Sequence, residues 1–158
     1  RQRQMCIRDS EEVTATISGM TGRPVETCAA VLRLAVDLQE PVKPTERLVG
    51  DLKAAGYRLY VLSNMSREFI DFLRRFPVYG LFDGEVVSCE EHTVKPEPRI
   101  YEILLERYGL PPSETLFIDD GQKNVDAAQR LGFAVYMPGP GEDFGHILDN
   151  LNRYEEIL

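Results

Sequence analysis

The sequence predicts an α/β fold, a mostly parallel sheet with helices on both faces. Three observations predict it. Short apolar runs such as Leu116-Phe117-Ile118 alternate with stretches whose apolar residues recur every three or four positions. Glycines at 56, 109 and 121 separate the two patterns. A β-α-β-α rhythm needs crossover helices, and these cover both faces of a parallel sheet. At 158 residues, 43% hydrophobic and 28% charged, the chain suits one globular domain with a sizeable core.

Residues 1–9, RQRQMCIRD, show neither a period nor turn logic and read as a non-native leader outside the fold. Ser10-Glu11-Glu12 starts a helix with Val13, Ile17 and Met20 on one face, broken by Gly19 and Gly22-Arg23-Pro24. Val25, Ala29, Leu32 and Val36 mark a second helix, and Pro41 and Pro44 end the pair. Leu48, Val49, Leu52 and Ala55 make a helix closed by Gly56. Tyr57 to Leu62 reads as a strand, and Phe69, Ile70, Phe72, Leu73 and Phe76 as the next helix. Val86-Val87 is a short strand. Tyr101, Leu104, Leu105 and Tyr108 stripe a helix entered through Pro98 and stopped at Gly109. A strand over 115–118, a helix over 123–131 and a strand over 133–137 follow, and Phe144, Ile147, Leu148 and Leu151 mark a terminal helix.

Charge and cysteine use narrow the function classes. A formal net charge of −8 argues against nucleic acid or an anionic membrane surface as partner. No apolar run approaches the roughly 18–20 residues of a membrane span, and no secretory leader pattern is present. Cys6, Cys28 and Cys89 are scattered, without C-x-x-C, so neither a disulfide framework nor a zinc site is expected and a reducing cytoplasm fits. Cys28 is expected at a helix contact and Cys89 at a strand end.

Three stretches carry the chemistry. Asp119 and Asp120 stand side by side where strand 115–118 ends, followed by the Gly121 turn and Asn124. Ligands of open α/β sheets sit at the carboxyl ends of strands. Two adjacent anions there repel unless a cation offsets them, and hard oxygens beside a turn suit Mg²⁺. The pair taken alone reads equally as a cap on the next helix. Ser63-Asn64 ends an earlier strand and offers a hydroxyl and backbone N–H groups to an anion, or a simple helix cap. Lys95, just ahead of Pro96 and Pro98, sits on a stiff extended segment; alone it would be an ordinary loop lysine. Each stretch lies at or beyond a strand and before a helix, so a parallel sheet gathers all three at one edge. Donors, a point cation and carboxylates for Mg²⁺ are what phosphoryl transfer requires.

These motifs, in this order and spacing, resemble the haloacid dehalogenase-like hydrolases, specifically helical-cap phosphatases similar to bacterial sugar-phosphate phosphatases, over roughly residues 10–140. The resemblance implies a three-layer Rossmann-like core over 44–158 and a partial helical cap over 10–43. It implies Ser63, Asn64 and Lys95 at the phosphate, Lys95 and Asp120 as catalytic residues, and Asp120 as Mg²⁺ ligand supported by Asp119 and Asn124. It further implies a phospho-aspartyl mechanism on a small phosphorylated metabolite, with a sugar phosphate as the first candidate.

One departure stands against the matches. The family's first motif is Asp-x-Asp at the end of the first, central strand, supplying nucleophile and general acid/base. No Asp-x-Asp occurs in these 158 residues. The expectation is a fragment lacking that central strand and the front of the cap, without turnover by the family mechanism, and with strands short of a pairing partner. Two rival enzyme-like readings fit less well. A 2-haloacid dehalogenase needs no acidic metal pair, and a receiver domain places its acidic pair before its Lys-Pro. A non-catalytic module binding phosphate or a partner is the remaining alternative.

Overall fold

Residues 10–140, Glu142 and Ile147 are described in the computed structural model. The leader over 1–9, with Cys6, lies outside them, as does the expected terminal helix apart from Ile147, which is helical and buried. Helices α1 (Ser10–Thr21) and α2 (Val25–Asp37) pack on one another ahead of the sheet-forming part. Val13 and Cys28 are buried between their surroundings, whereas Met20, expected on the same face, is 67% exposed in the last turn of α1, which runs on past Gly19. Helix α3 (Lys43–Ala54) opens with Pro44 in its first turn, where a missing N–H costs nothing. It buries Leu48, Val49 and Leu52 as its spacing predicts.

Strand β1 is Tyr60–Ser63, three residues shorter at its start than the apolar run suggests. The cause is Asp83. Its carboxylate accepts the Leu59 N–H at 2.8 Å and the Lys53 ammonium at 2.7 Å, and its own N–H donates to the Leu59 carbonyl at 2.7 Å. A side chain therefore occupies the position of a ladder partner. Helix α4 (Arg67–Leu73), a 3₁₀ turn (Pro77–Leu81), strand β2 (Gly84–Val87) and the one-turn helix α5 (Ser88–Glu91) follow. Helix α6 (Pro98–Tyr108) ends at Gly109, whose φ of 60° is the left-handed cap that a glycine adopts without a Cβ penalty. A second 3₁₀ turn (Pro112–Glu114), strand β3 (Leu116–Ile118), helix α7 (Gln122–Arg130) and strand β4 (Ala134–Tyr136) complete the order. The two 3₁₀ turns and α5 are too short to leave a periodic trace in the sequence.

β1 pairs with β2 in parallel from Tyr60↔Gly84 to Ser63↔Val87, and β3 pairs with β4 from Leu116↔Ala134 to Ile118↔Tyr136. Alternation sorts the strand residues to two faces. Tyr60, Leu62, Val86, Phe117 and Val135 meet Ile100, Tyr101 and Leu104 of α6 and Ala127 and Ala128 of α7. Leu59, Leu116, Ile118 and Tyr136 meet Leu48 and Leu52 of α3 and Ile147, while Val87 meets Ile70 of α4. The result is the expected three-layer α/β arrangement. Ile100 and Tyr101 are fully buried, each stabilising the fold by about 1.5–3 kcal/mol through removal of its side chain from water.

The two strand pairs are separate sheets. β1 and β3 face each other without hydrogen-bonding among the described residues. Between them lies a cavity of about 560 Å³, walled by Tyr60 and Leu62 on one side and Leu116, Phe117 and Ile118 on the other. Leu48, Leu52 and Leu104, from helices on both faces, also line it. No strand among the described residues occupies this gap.

Candidate active site

Lys95 ties the two sheets together at their carboxyl ends. Its ammonium donates to the Leu62 carbonyl of β1 at 2.8 Å and to Asp119 Oδ2, just past β3, at 2.6 Å. The Lys95 and Asp119 side chains are only 10% and 7% exposed. Removing two charges from water costs several kcal/mol per ion unless the remaining lone pairs and protons are satisfied. Here they are. Asp119 Oδ1 also accepts the Gly121 N–H and the Asn124 Nδ2–H, both at 2.8 Å. Burial alone would raise the Asp119 carboxyl; the Lys95 hydrogen bond and charge, with Asn124 and Gly121, outweigh it and hold it below the usual carboxylate range.

The backbone of Lys95 is gripped as firmly as its head. Asn64 accepts the Lys95 N–H at 2.7 Å and donates from Nδ2 to the Lys95 carbonyl at 2.9 Å. The Lys95-Pro96 peptide is cis. Glu97 donates its N–H back to the Val94 carbonyl at 2.8 Å, and buried Thr93 donates its hydroxyl to Glu97 at 3.0 Å. Asn64, expected beside the phosphate, thus turns both its amide nitrogen and its amide oxygen to the Lys95 backbone.

Two expected residues stand open beside this cluster. The Ser63 hydroxyl, at the end of β1, and the exposed Asp120 carboxylate have no hydrogen-bond or ion-pair partner among the described residues. The N–H donors expected after Ser63 are fewer than the sequence suggests, because Met65 N–H donates to Ser88 Oγ at 2.9 Å. Ser88, fully buried, is a positioning residue that the sequence reading missed. Its only sequence signal is a hydroxyl directly after the Val86-Val87 run. Tyr101, read only as core, also serves the site by donating its hydroxyl to the Asn124 carbonyl at 3.0 Å. Burial first, then the Asp119 charge, pushes that phenol up. Gly121 allows a close approach, since a Cβ there would lie 2.8 Å from Asn124 Nδ2 and 3.0 Å from Asp119 Oδ1.

The donor set bears on Mg²⁺. Among the described residues no three His, Cys, Asp or Glu side chains group as a ready metal site. Of the acidic pair, Asp119 already has its cation in Lys95. Asp120 keeps a free carboxylate, and Asn124, donating through Nδ2, keeps its side-chain carbonyl oxygen. Hard oxygens in this small number fit an ion that takes one or two carboxylates and retains waters.

The remaining polar candidates are engaged elsewhere. Arg67 pairs with Glu90 at 2.6 Å, and Arg99 with Glu102 and Glu106 of its own helix. His92 is exposed and caps α5 at φ 53°. His146 lies outside the described residues. Cys28 and Cys89 are buried free thiols, at the helix contact and just beyond the strand end respectively; burial pushes the Cys89 thiol up, against a nucleophilic role.

A family model described as haloacid dehalogenase-like hydrolase matches residues 9–132. The chain belongs to that family. Among curated relatives of this family, a sesquiterpene phosphatase of Aspergillus oryzae is 31% identical over 117 residues, 73% of this chain and 60% of its own length. A D-ribitol-5-phosphate phosphatase of Bacteroides thetaiotaomicron is 32% identical over 98 residues, 56% of this chain and 47% of its own. The chain thus spans about half to three-fifths of these relatives. A solved haloacid dehalogenase family enzyme of Bacteroides thetaiotaomicron, an aspartate-to-alanine mutant in complex with magnesium and inorganic phosphate, superposes with a TM-score of 0.77. It is 29% identical and the match covers 92% of this chain and 78% of that one. Three-layer fold and hydrolase membership are therefore established together.

Proposed function

We propose that this chain supplies the phosphate-holding and metal-holding side of a Mg²⁺-dependent phosphomonoester hydrolase acting on a small phosphorylated metabolite. The observation that carries the reading is the Lys95 ammonium, fixed at the junction of two strand ends between an open hydroxyl and an open carboxylate. An ammonium has three donors, and two are used on Leu62 and Asp119. The third is left for a phosphoryl oxygen. Ser63 donates its hydroxyl to a second such oxygen. Asn64, through the Lys95 backbone, keeps that cation in place, and Asp119 sets its direction. Asp120 and the Asn124 carbonyl oxygen would hold Mg²⁺, which when bound offsets charge on the phosphoryl group. Fixed charges aimed at the transferred group are the main source of acceleration in this chemistry.

The nucleophilic carboxylate is not among these residues. An apolar strand ending in Asp-x-Asp would find its pairing edges in the cavity between β1 and β3 and would bring its carboxylates beside Lys95. The relatives named above support phosphate-ester hydrolysis; the buried free thiols suit a reducing compartment such as the cytoplasm. No described helix is long and apolar enough to cross a membrane.

The test is complementation. The 158-residue chain, given p-nitrophenyl phosphate and Mg²⁺, is expected to show no turnover. Adding a synthetic strand peptide that ends in Asp-x-Asp is expected to produce Mg²⁺-dependent turnover, and Asp120→Asn in the chain to abolish it. Turnover by the chain alone, or complemented turnover indifferent to Asp120→Asn, would refute the assignment.

A further inference from the structure

A second cavity opens directly beside the phosphate-binding end. It has a volume of about 690 Å³ and lies between the α1–α2 pair and the segment from Asn64 to Phe69. Its inner wall is apolar: Val13 of α1, Ala29, Leu32 and Val36 of α2, and Met65 and Phe69 across from them. Ala29, Leu32 and Val36 recur at i, i+3 and i+7, so one whole stripe of α2 faces the space. They are half-buried, whereas Val31, Leu34 and Leu38 on another stripe of α2 are 57–69% exposed.

The polar side chains around this cleft offer little to a polyol. Asn64 commits one amide N–H and its carbonyl oxygen to Lys95, Gln39 donates its amide to the Ala35 carbonyl at 3.0 Å, and Ser66 brings to the lining a hydroxyl uncommitted among the described residues. Thr14 and Glu68 also have partners. A sugar or sugar alcohol placed against this apolar wall would lose water from several hydroxyls and regain few hydrogen bonds, at roughly 1–3 kcal/mol for each group left unpaired. An alkyl chain would lose only apolar hydration.

We infer that the ester group carried on the phosphate is apolar, an alkyl or comparable hydrocarbon alcohol lying along Leu32, Val36 and Phe69, rather than a sugar or polyol. The inference rests on the proposed phosphate site, because Asn64 joins the two: it grips Lys95 on one side and lines the cleft on the other. Arg33 and Asp37, exposed on α2 at the cleft, mark its outer, hydrated side.

Binding to the 158-residue chain tests this without turnover. Inorganic phosphate, hexyl phosphate and sorbitol 6-phosphate are titrated calorimetrically in the presence of Mg²⁺. Hexyl phosphate is expected to bind at least about tenfold tighter than the other two, the return for burying about two methylene groups. Leu32→Asp is expected to bring the ratio of hexyl to inorganic phosphate affinity back toward one. Equal affinities, or a preference for sorbitol 6-phosphate, with inorganic phosphate still bound, would overturn the apolar assignment alone. A ratio unmoved by Leu32→Asp would overturn the placement in this cleft. Failure of all three to bind would overturn the phosphate site and this inference with it.

Discussion

Two clusters of paired charge among the described residues are built on opposite plans. At the strand ends, Lys95 and Asp119 form one pair that is nearly sealed from water, with side chains 10% and 7% exposed. Below β2, Arg74 bonds Asp71, Glu85 and Glu90 together, and Arg67 shares Glu90 while Tyr79 donates to Glu85. There the principal partners are 27–29% exposed. The first cluster has a single cation for a buried anion and no substitute. The second spreads its charge over several partners near solvent. A site that must present one fixed ammonium to a ligand gains from the first plan, whereas a surface that only needs to hold α4 against β2 is served by the second.

The largest expected difference comes from removing each cation. Lys95→Met leaves the Asp119 carboxylate buried beside only neutral donors and should cost about 3–5 kcal/mol, the usual penalty for orphaning a buried charge. Arg74→Met leaves Glu90 with Arg67 and Glu85 with Tyr79, and water reaches both; about 1–2 kcal/mol is expected, between the values for exposed ion pairs and charged hydrogen bonds. Urea midpoints of the two variants against the parent chain measure this directly. Equal shifts would erase the distinction between the clusters. The pair variant Lys95→Met with Asp119→Leu sharpens it, since joint replacement of a buried ion pair should recover most of the lost stability.

A smaller effect isolates positioning from charge. Asn64→Ala keeps the Lys95–Asp119 pair but removes both hydrogen bonds to the Lys95 backbone, at about 1–3 kcal/mol if the freed groups stay buried. Inorganic phosphate affinity should fall together with stability. Asn64→Asp, which retains the acceptor for the Lys95 N–H, should recover part of both. A loss of phosphate affinity without any loss of stability would mean that Asn64 touches the anion rather than the lysine.

The sequence made the first cluster visible and left the second almost blank, for a physical reason. Chemistry at strand ends concentrates particular residues at turns, so Ser63, Lys95-Pro96 and Asp119-Asp120 stand out against apolar runs. What the runs could not reveal was who neutralises whom. A carboxylate pair suggests a metal for both members, yet the structure gives Asp119 to Lys95 and leaves Asp120 free. Asn64 next to Ser63 reads as a second anion donor, yet its amide closes on a backbone 31 positions away. Strand and helix identity followed from periodicity, with Gly109 and Pro98 bounding α6 as expected. The start of β1 did not, because a side chain from Asp83 intervened. The open slot between β1 and β3 was not legible in the periodicity, because a space between strands leaves no pattern of its own.

The smallest effect separates the clusters by acid. Burial alone would raise the Glu90 carboxyl, but the Arg74 hydrogen bond and charge, and then Arg67, hold it below its ordinary value. A carboxylate depressed on folding contributes stability that is fully present above its unfolded value of about 4.3 and is lost as pH falls through the folded one. Stability of the parent chain should therefore decline below about pH 4.3, where the unfolded carboxyl begins to take up protons that the folded one refuses. In Arg67→Met the Glu90 carboxylate keeps Arg74 but loses a contributor, so part of that decline should disappear, by a few tenths of a kcal/mol as for an exposed pair. Urea midpoints at pH 3.5 and 6 for the two chains read the difference. If Arg67→Met declines as steeply as the parent, Arg67 adds nothing to Glu90, and the second cluster would depend on a single arginine just as the first depends on a single lysine.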